Sequence, residues 1–154
     1  MRIAVINGPN LNLLGVREPS VYGTETLDDV ERRLHAVARE LGASLEFAQR
    51  NGEGELIEYI HGLRGRVDGA VVNAGAYSHS SLAIRDALTG VAMPFVEVHI
   101  TNVYGREPER RTSMLAPAAI GVVCGLGTYG YELALRGLAA KLSARSATGS
   151  VARV

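Results

Sequence analysis

A chain of 154 residues, 47% of them apolar, can fill the core of one domain but is short for two independent ones. Basic and acidic residues balance at 16 each, and the basic ones, nearly all arginine with Lys141 the only lysine, are scattered. Neither a nucleic-acid footprint nor attraction to an anionic membrane is implied. Cys124 is the only cysteine, which excludes an internal disulfide and any multi-cysteine metal site and fits a reducing compartment.

In chain order, Ile3 to Ile6 reads as a first strand. This apolar run meets polar Asn7 too soon to be a signal or spanning segment, so a cytoplasmic location is the expectation. The loop from Gly15 to Glu25 carries Arg17, Glu18, Pro19 and Tyr22; it is long for a strand-to-helix connection and reads as a lid. Leu27, Val30, Leu34, Val37, Ala38 and Leu41 then recur at helical spacing, with Thr26 as N-cap and Gly42 as the stop. Leu45 to Phe47 gives a second strand. Leu56, Ile57, Ile60 and Leu63 give a shorter helix.

A third strand spans Gly69 to Val72, and a helix spans Ser80 to Thr89. Strands at Phe95 to Val98 and Ile120 to Val123 come next, then a last helix on Tyr131, Leu135, Leu138 and Leu142. Runs such as Ala70-Val71-Val72 lack alternation, as strands buried on both faces do, and the elements alternate β and α. The expected architecture is a flavodoxin-like three-layer sandwich with a five-stranded parallel sheet, order 2-1-3-4-5. One domain covers 1–143, and the Ser, Ala, Gly and Thr of 144–154 read as a flexible tail.

Open parallel sheets bind ligands beyond the carboxyl ends of their strands. Here strand one ends in Asn7-Gly8-Pro9-Asn10, strand three in Asn73-Ala74-Gly75-Ala76-Tyr77-Ser78-His79, and strand four in Glu97-Val98-His99-Ile100-Thr101-Asn102. In the expected strand order these polar ends converge on one cleft. Glu97 and His99, two apart on a strand, share a face, so the carboxylate can orient the imidazole. A purely structural ion pair has the same pattern. His79 could be a third ligand for a metal, but there is no compact metal-ligand motif. Gly125, Gly127 and Gly130 spell G-x-G-x-x-G, yet no strand comes after them and no acidic residue occurs after Glu132 to hold a ribose. A tight turn and close helix packing are the expected use.

Taken together, Asn7-Gly8-Pro9-Asn10-Leu11-Asn12-Leu13-Leu14-Gly15 followed by Arg17-Glu18-Pro19 and Tyr22-Gly23 resemble the opening of the type II 3-dehydroquinate dehydratases. The block from Asn73 to Ser80 with Arg85-Asp86-Ala87, the block Glu97-Val98-His99-Ile100 with Asn102-Val103, Arg106-Glu107 and Arg110, and the turn Gly125 to Tyr131 continue the likeness in order to about residue 142. The resemblance implies conversion of 3-dehydroquinate to 3-dehydroshikimate and water in the shikimate route, through an enolate, without metal or other cofactor. It assigns Tyr22 as base, Asn10 as holder of the water that supports the enolate, and His99 as acid. Asn73, Ile100 and Thr101 would cradle the substrate carboxylate, and His79 and Arg110 would meet its ring hydroxyls. Glu97 stands behind His99. Asp86 would reach the cleft of a neighbouring subunit in trimers that assemble, four together, into a homododecamer.

A free phenol ionises near ~10, so its use as a base near neutrality needs about 4 kcal/mol of help. A cation about 4 Å away supplies only about 1 kcal/mol in bulk water and about 4 kcal/mol at an effective dielectric of about 20. Arg17 is the expected cation, and a closed, dry lid its condition. The chain departs from the family pattern at Thr101, Tyr104, Glu109, Arg111 and Thr112. Two rival readings remain. A flavin- or nucleotide-binding module calls for Ser and Thr in the first loop, where Gly8 to Asn12 has neither. A non-catalytic assembly protein has no need to keep Tyr22, Arg17 and His99 together.

Overall fold

The computed structural model describes residues 1–149. Five parallel strands, β1 (Arg2–Asn7), β2 (Ser44–Gln49), β3 (Gly69–Asn73), β4 (Phe95–His99) and β5 (Gly121–Cys124), form one sheet in the order β2-β1-β3-β4-β5. The expected flavodoxin-like topology is therefore the observed one. A four-residue turn, α1 (Pro19–Tyr22), lies within the lid; α2 (Leu27–Glu40), α3 (Glu53–Gly62), α4 (Leu82–Gly90) and α5 (Tyr129–Gly149) cover the sheet.

Strand alternation divides the core into two layers. Ile3 and Val5 of β1, Val71 of β3, and Val96 and Val98 of β4 face Val30, Leu34 and Val37 of α2 and Leu135 and Leu138 of α5. Ala4, Ile6, Ala70, Val72 and Phe95 face Leu56 and Ile60 of α3 and Ile84 and Leu88 of α4. With both faces covered, β1 after Arg2 and β3 are apolar up to their terminal asparagines, which is why they showed no alternation in the sequence.

Helix α2 starts as expected. The Thr26 hydroxyl accepts from Asp29 N while the Asp29 carboxylate accepts from Thr26 N, a reciprocal cap that also holds the Asp29 carboxyl below the usual range. Helix α4 starts at Leu82 rather than Ser80, because Gly75–His79 forms a 3-10 turn and Ser81 is the residue whose hydroxyl accepts from Ile84 N. Residues 144–149 continue α5, where Ala144, Arg145 and Ala147 favour the helix and the Ser146 and Thr148 hydroxyls satisfy themselves on carbonyls one turn earlier. The rest of the expected tail, 150–154, lies outside the described residues.

Register then positions the site. Asn7 of β1 is the partner of Asn73 of β3, and β4 extends beside them to His99. Beyond β1 the chain passes so close to the end of β3 that a Cβ on Gly8 would lie 2.3 Å from the Ala74 carbonyl oxygen, while Gly8 N donates to Asn73 O at 2.8 Å. Gly8→Ala must therefore part the two strand ends. It should destabilise the fold by about 1–3 kcal/mol, read as a lower urea midpoint; an unchanged midpoint would show that the approach is not required.

Candidate active site

The carboxyl ends of β1, β3 and β4 border a cleft of about 180 Å³, to which the lid contributes Arg17 and Tyr22. Asn10, Arg17, Tyr22, Asn73, His79, His99, Ile100, Thr101 and Arg110 all line it, so nearly every residue expected at the site converges there. Asp86 does not. It is exposed on α4 and borders a separate depression with His61 and Arg64.

Each wall has a physical reason. Asn10 sits in the left-handed region at φ 67°, a conformation asparagine tolerates better than most residues, and its backbone N–H donates to Asn51 Oδ1 at 3.0 Å. Asn7 and Asn73 are buried amides at adjoining strand ends and need partners. Tyr131 of α5 supplies them: its hydroxyl donates to Asn7 Oδ1 at 2.6 Å and accepts from Asn73 Nδ2 at 2.9 Å. Asn73 Oδ1 in turn accepts from Gly75 N at 3.2 Å, so the amide is held at both ends. Complete burial pushes the Tyr131 phenol well above its usual range, the bond from Asn73 opposing in part. From sequence Tyr131 read as a packing residue. It packs, and it also orients Asn73.

On β4, the face expected to carry Glu97 and His99 does so. His99 Nε2 lies 2.6 Å from Glu97 Oε1, and Glu97 has no exposed surface. A carboxylate oxygen only accepts, so Nε2 carries the proton and Nδ1 is the nitrogen left for the cleft. His79 stacks on His99 with ring centroids 5.7 Å apart, and its Nδ1 donates to the Thr112 carbonyl at 2.8 Å, which leaves its Nε2 as an acceptor.

The lid is a loop with a closed neck. Gly15, at φ +87°, passes so close to the other end that a Cβ would lie 2.8 Å from the Thr24 carbonyl oxygen. Glu25 ties that end down by accepting from the Thr128 hydroxyl and from Arg33. At the tip, Arg17 and Tyr22 meet, but not as expected. The Arg17 guanidinium lies over the Tyr22 ring, 5.4 Å from its centroid, with Nε 3.4 Å from the Glu18 carboxylate. Arg106 is the residue that reaches the phenolic oxygen, its Nη1 donating to Tyr22 Oη at 2.9 Å. In the sequence Arg106 was only one residue of a motif. A permanently cationic donor at that oxygen stabilises negative charge there.

Arg110 is steered by Glu107, whose carboxyl the Arg110 hydrogen bond holds below the usual range. Apart from Thr101, the departures from the family pattern stay out of the cleft. Arg111 Nε donates to the Arg106 carbonyl, Tyr104 is exposed, Thr112 offers its carbonyl to His79, and Glu109 is not among the lining residues. The glycine motif clasps the end of β4: Gly125 N donates to His99 O and Gly127 N to Ile100 O, both glycines at positive φ. Among the described residues no group of three or more His, Cys, Asp or Glu side chains converges as metal ligands would.

Fold and cleft together define an α/β protein with a phenol, two imidazoles and three arginines around a space for a small anion; among the described residues no carboxylate lines it. The chain belongs to the dehydroquinase class II family, whose model matches residues 1–139. A 3-dehydroquinate dehydratase from Gemmatimonas aurantiaca is 60% identical over 152 residues, 97% of this chain and 100% of that protein. The crystal structure of the type II dehydroquinase from Butyrivibrio crossotus superposes with a TM-score of 0.87 at 41% identity, over 90% of this chain and 97% of the other. That of the type II dehydroquinase from Propionibacterium acnes gives 0.86 at 44% identity, over 90% and 96%.

The contact between Arg106 and Tyr22 can be tested directly. A hydrogen bond to a charged group is worth about 1.5–3 kcal/mol, so Arg106→Ala should lower kcat for 3-dehydroquinate dehydration by about 10- to 100-fold. An unchanged kcat would mean that the contact is incidental to Tyr22.

Proposed function

We propose that Tyr22, Asn10 and His99 divide between them the dehydration of 3-dehydroquinate to 3-dehydroshikimate. That reaction, a step of the shikimate pathway carried out by hydro-lyases, is the activity of the family to which the chain belongs. The observation that carries the assignment of the base is the pair of guanidiniums on Tyr22, Arg106 at its oxygen and Arg17 over its ring.

Loss of water next to a ketone needs a base for the α-proton, a stabiliser for the enolate and an acid for the departing hydroxyl. Tyr22, as phenolate, takes the α-proton. The electron pair moves onto the carbonyl oxygen, where a water held by Asn10 supports the enolate. As the carbonyl re-forms, the carbon–oxygen bond to the hydroxyl breaks, and His99 gives the proton from Nδ1 that makes it water. For that donation the imidazole carries protons on both nitrogens, the one on Nε2 held by Glu97. The balance needs no oxidant or reductant.

Asn73, Thr101 and the Ile100 backbone form the cradle for the substrate carboxylate, with Thr101 Oγ1 3.4 Å from the Arg106 nitrogen that also meets Tyr22. The acceptor nitrogen of His79 and the donors of Arg110 receive ring hydroxyls. A spectrophotometric assay for the conjugated enone, run with chelator present, should show product with the wild-type chain. Tyr22→Phe should lose nearly all turnover yet still bind substrate in calorimetry. A variant that kept most of its kcat would remove Tyr22 from the base role.

The site is complete only in the assembly. Asp86, exposed on α4 and outside this chain's cleft, serves a neighbouring subunit in a homododecamer of four trimers, working in the cytoplasm. Among the described residues no helix is long and apolar enough to cross a membrane. Sedimentation equilibrium should return the dodecamer mass, and Asp86→Ala should raise KM without changing it. A fully active monomer would refute the shared site.

A further inference from the structure

The segment Thr112–Met114 runs beside both stacked histidines. The Thr112 carbonyl accepts from His79 Nδ1, and Met114 N donates to Ser78 O at 2.7 Å, directly before His79. Between them the Ser113 hydroxyl reaches Glu97 Oε1 at 2.6 Å. Donor and acceptor counting fixes its direction. Ser113 Oγ already accepts from Leu115 N and Ala116 N, both at 3.1 Å, so its lone pairs are taken and its single proton points to Glu97. Glu97 Oε1 therefore receives two donors, Ser113 Oγ–H and His99 Nε2–H, while the buried Oε2 has no partner among the described residues.

We propose that Ser113 is a positioning residue for His99 that acts through Glu97: it holds the carboxylate beneath the imidazole and takes up part of its charge. How tightly His99 keeps its protons then depends on the Ser113 hydroxyl. Without it, the negative charge of Glu97 has His99 as its one remaining donor, the imidazolium is favoured, and His99 titrates at higher pH. The other charged or titratable groups around His99 are His79 on the 3-10 turn, Arg17 and Tyr22 on the lid, Arg106 and Arg110 after β4, and the free thiol of Cys124, the register partner of His99 on β5. None of these bonds to Ser113, so its substitution leaves them in place. The catalytic consequence rests on His99 being the acid; the effect on its titration does not.

The test compares full-length wild type, Ser113→Ala and Ser113→Thr. Diethyl pyrocarbonate acylates neutral imidazole, so its rate of reaction at His99 against pH, followed by peptide mass spectrometry, reads the titration of that residue alone. Parallel kcat–pH profiles read the chemistry. In Ser113→Ala the His99 midpoint should rise by about half a unit or more, with the matching limb of kcat moving the same way and KM within about twofold, whereas Ser113→Thr should track the wild type. If Ser113→Ala does not fold, Ser113→Cys, a much weaker donor of similar size, takes its place. A midpoint that stays put in the Ala or Cys variant, or that moves equally in Ser113→Thr, overturns the proposal and leaves Ser113 as a cap for the following turn. A midpoint that moves while the kcat profile does not would support the coupling through Glu97 and refute His99 as the acid.

Discussion

A carboxylate shut off from water is the constraint around which the site is built. Removing a charge from water costs several kcal/mol unless donors replace it, and Glu97 finds two, from Ser113 and His99. Meeting them ties β4 to the segment sixteen residues on. It also fixes register. Phe95, Glu97 and His99 share one face of β4, toward α3 and α4, while Val96 and Val98 pack toward α2 and α5. A slip of one residue would drive the carboxylate into a mostly aliphatic layer, where the Tyr131 hydroxyl is already committed to Asn7 and Asn73.

Around the cleft mouth the acids lie outside and the cations inside. Glu18 holds Arg17, and Glu107 holds Arg110 and lies within 3.6 Å of Arg106. Exposed pairs of this kind add little to stability. Their use is positional: a guanidinium has five donors, so each arginine can keep its acid and still present hydrogens to a ligand or to the Tyr22 oxygen. A cleft that is cationic where it meets substrate, with its counter-charges kept at the rim, suits a hydroxylated carboxylate.

The fold was legible in the sequence wherever a local pattern governs it. Continuous apolar runs showed the buried parallel strands, Thr26 showed the start of α2, and the polar endings of β1, β3 and β4 showed where the cleft would open. Resemblance then supplied roles for Tyr22, His99 and Asn10, which spacing alone could not. The unread parts are contacts between distant residues. Arg106 meets Tyr22 across 84 positions and Tyr131 meets Asn7 across 124, and in neither case does anything beside the residue mark its partner. One signal was present: two asparagines ending adjacent apolar strands must find a buried polar group, and Tyr131 is the hydroxyl on the helix that covers them.

Thr112 differs from the family pattern in its side chain, yet the atom that His79 uses is its carbonyl oxygen. Every residue type brings that oxygen. The position is thus free to drift in identity as long as the main chain keeps its path, and a tautomer of an imidazole in the cleft is written into the course of the backbone, where a comparison of side chains would find only a loss.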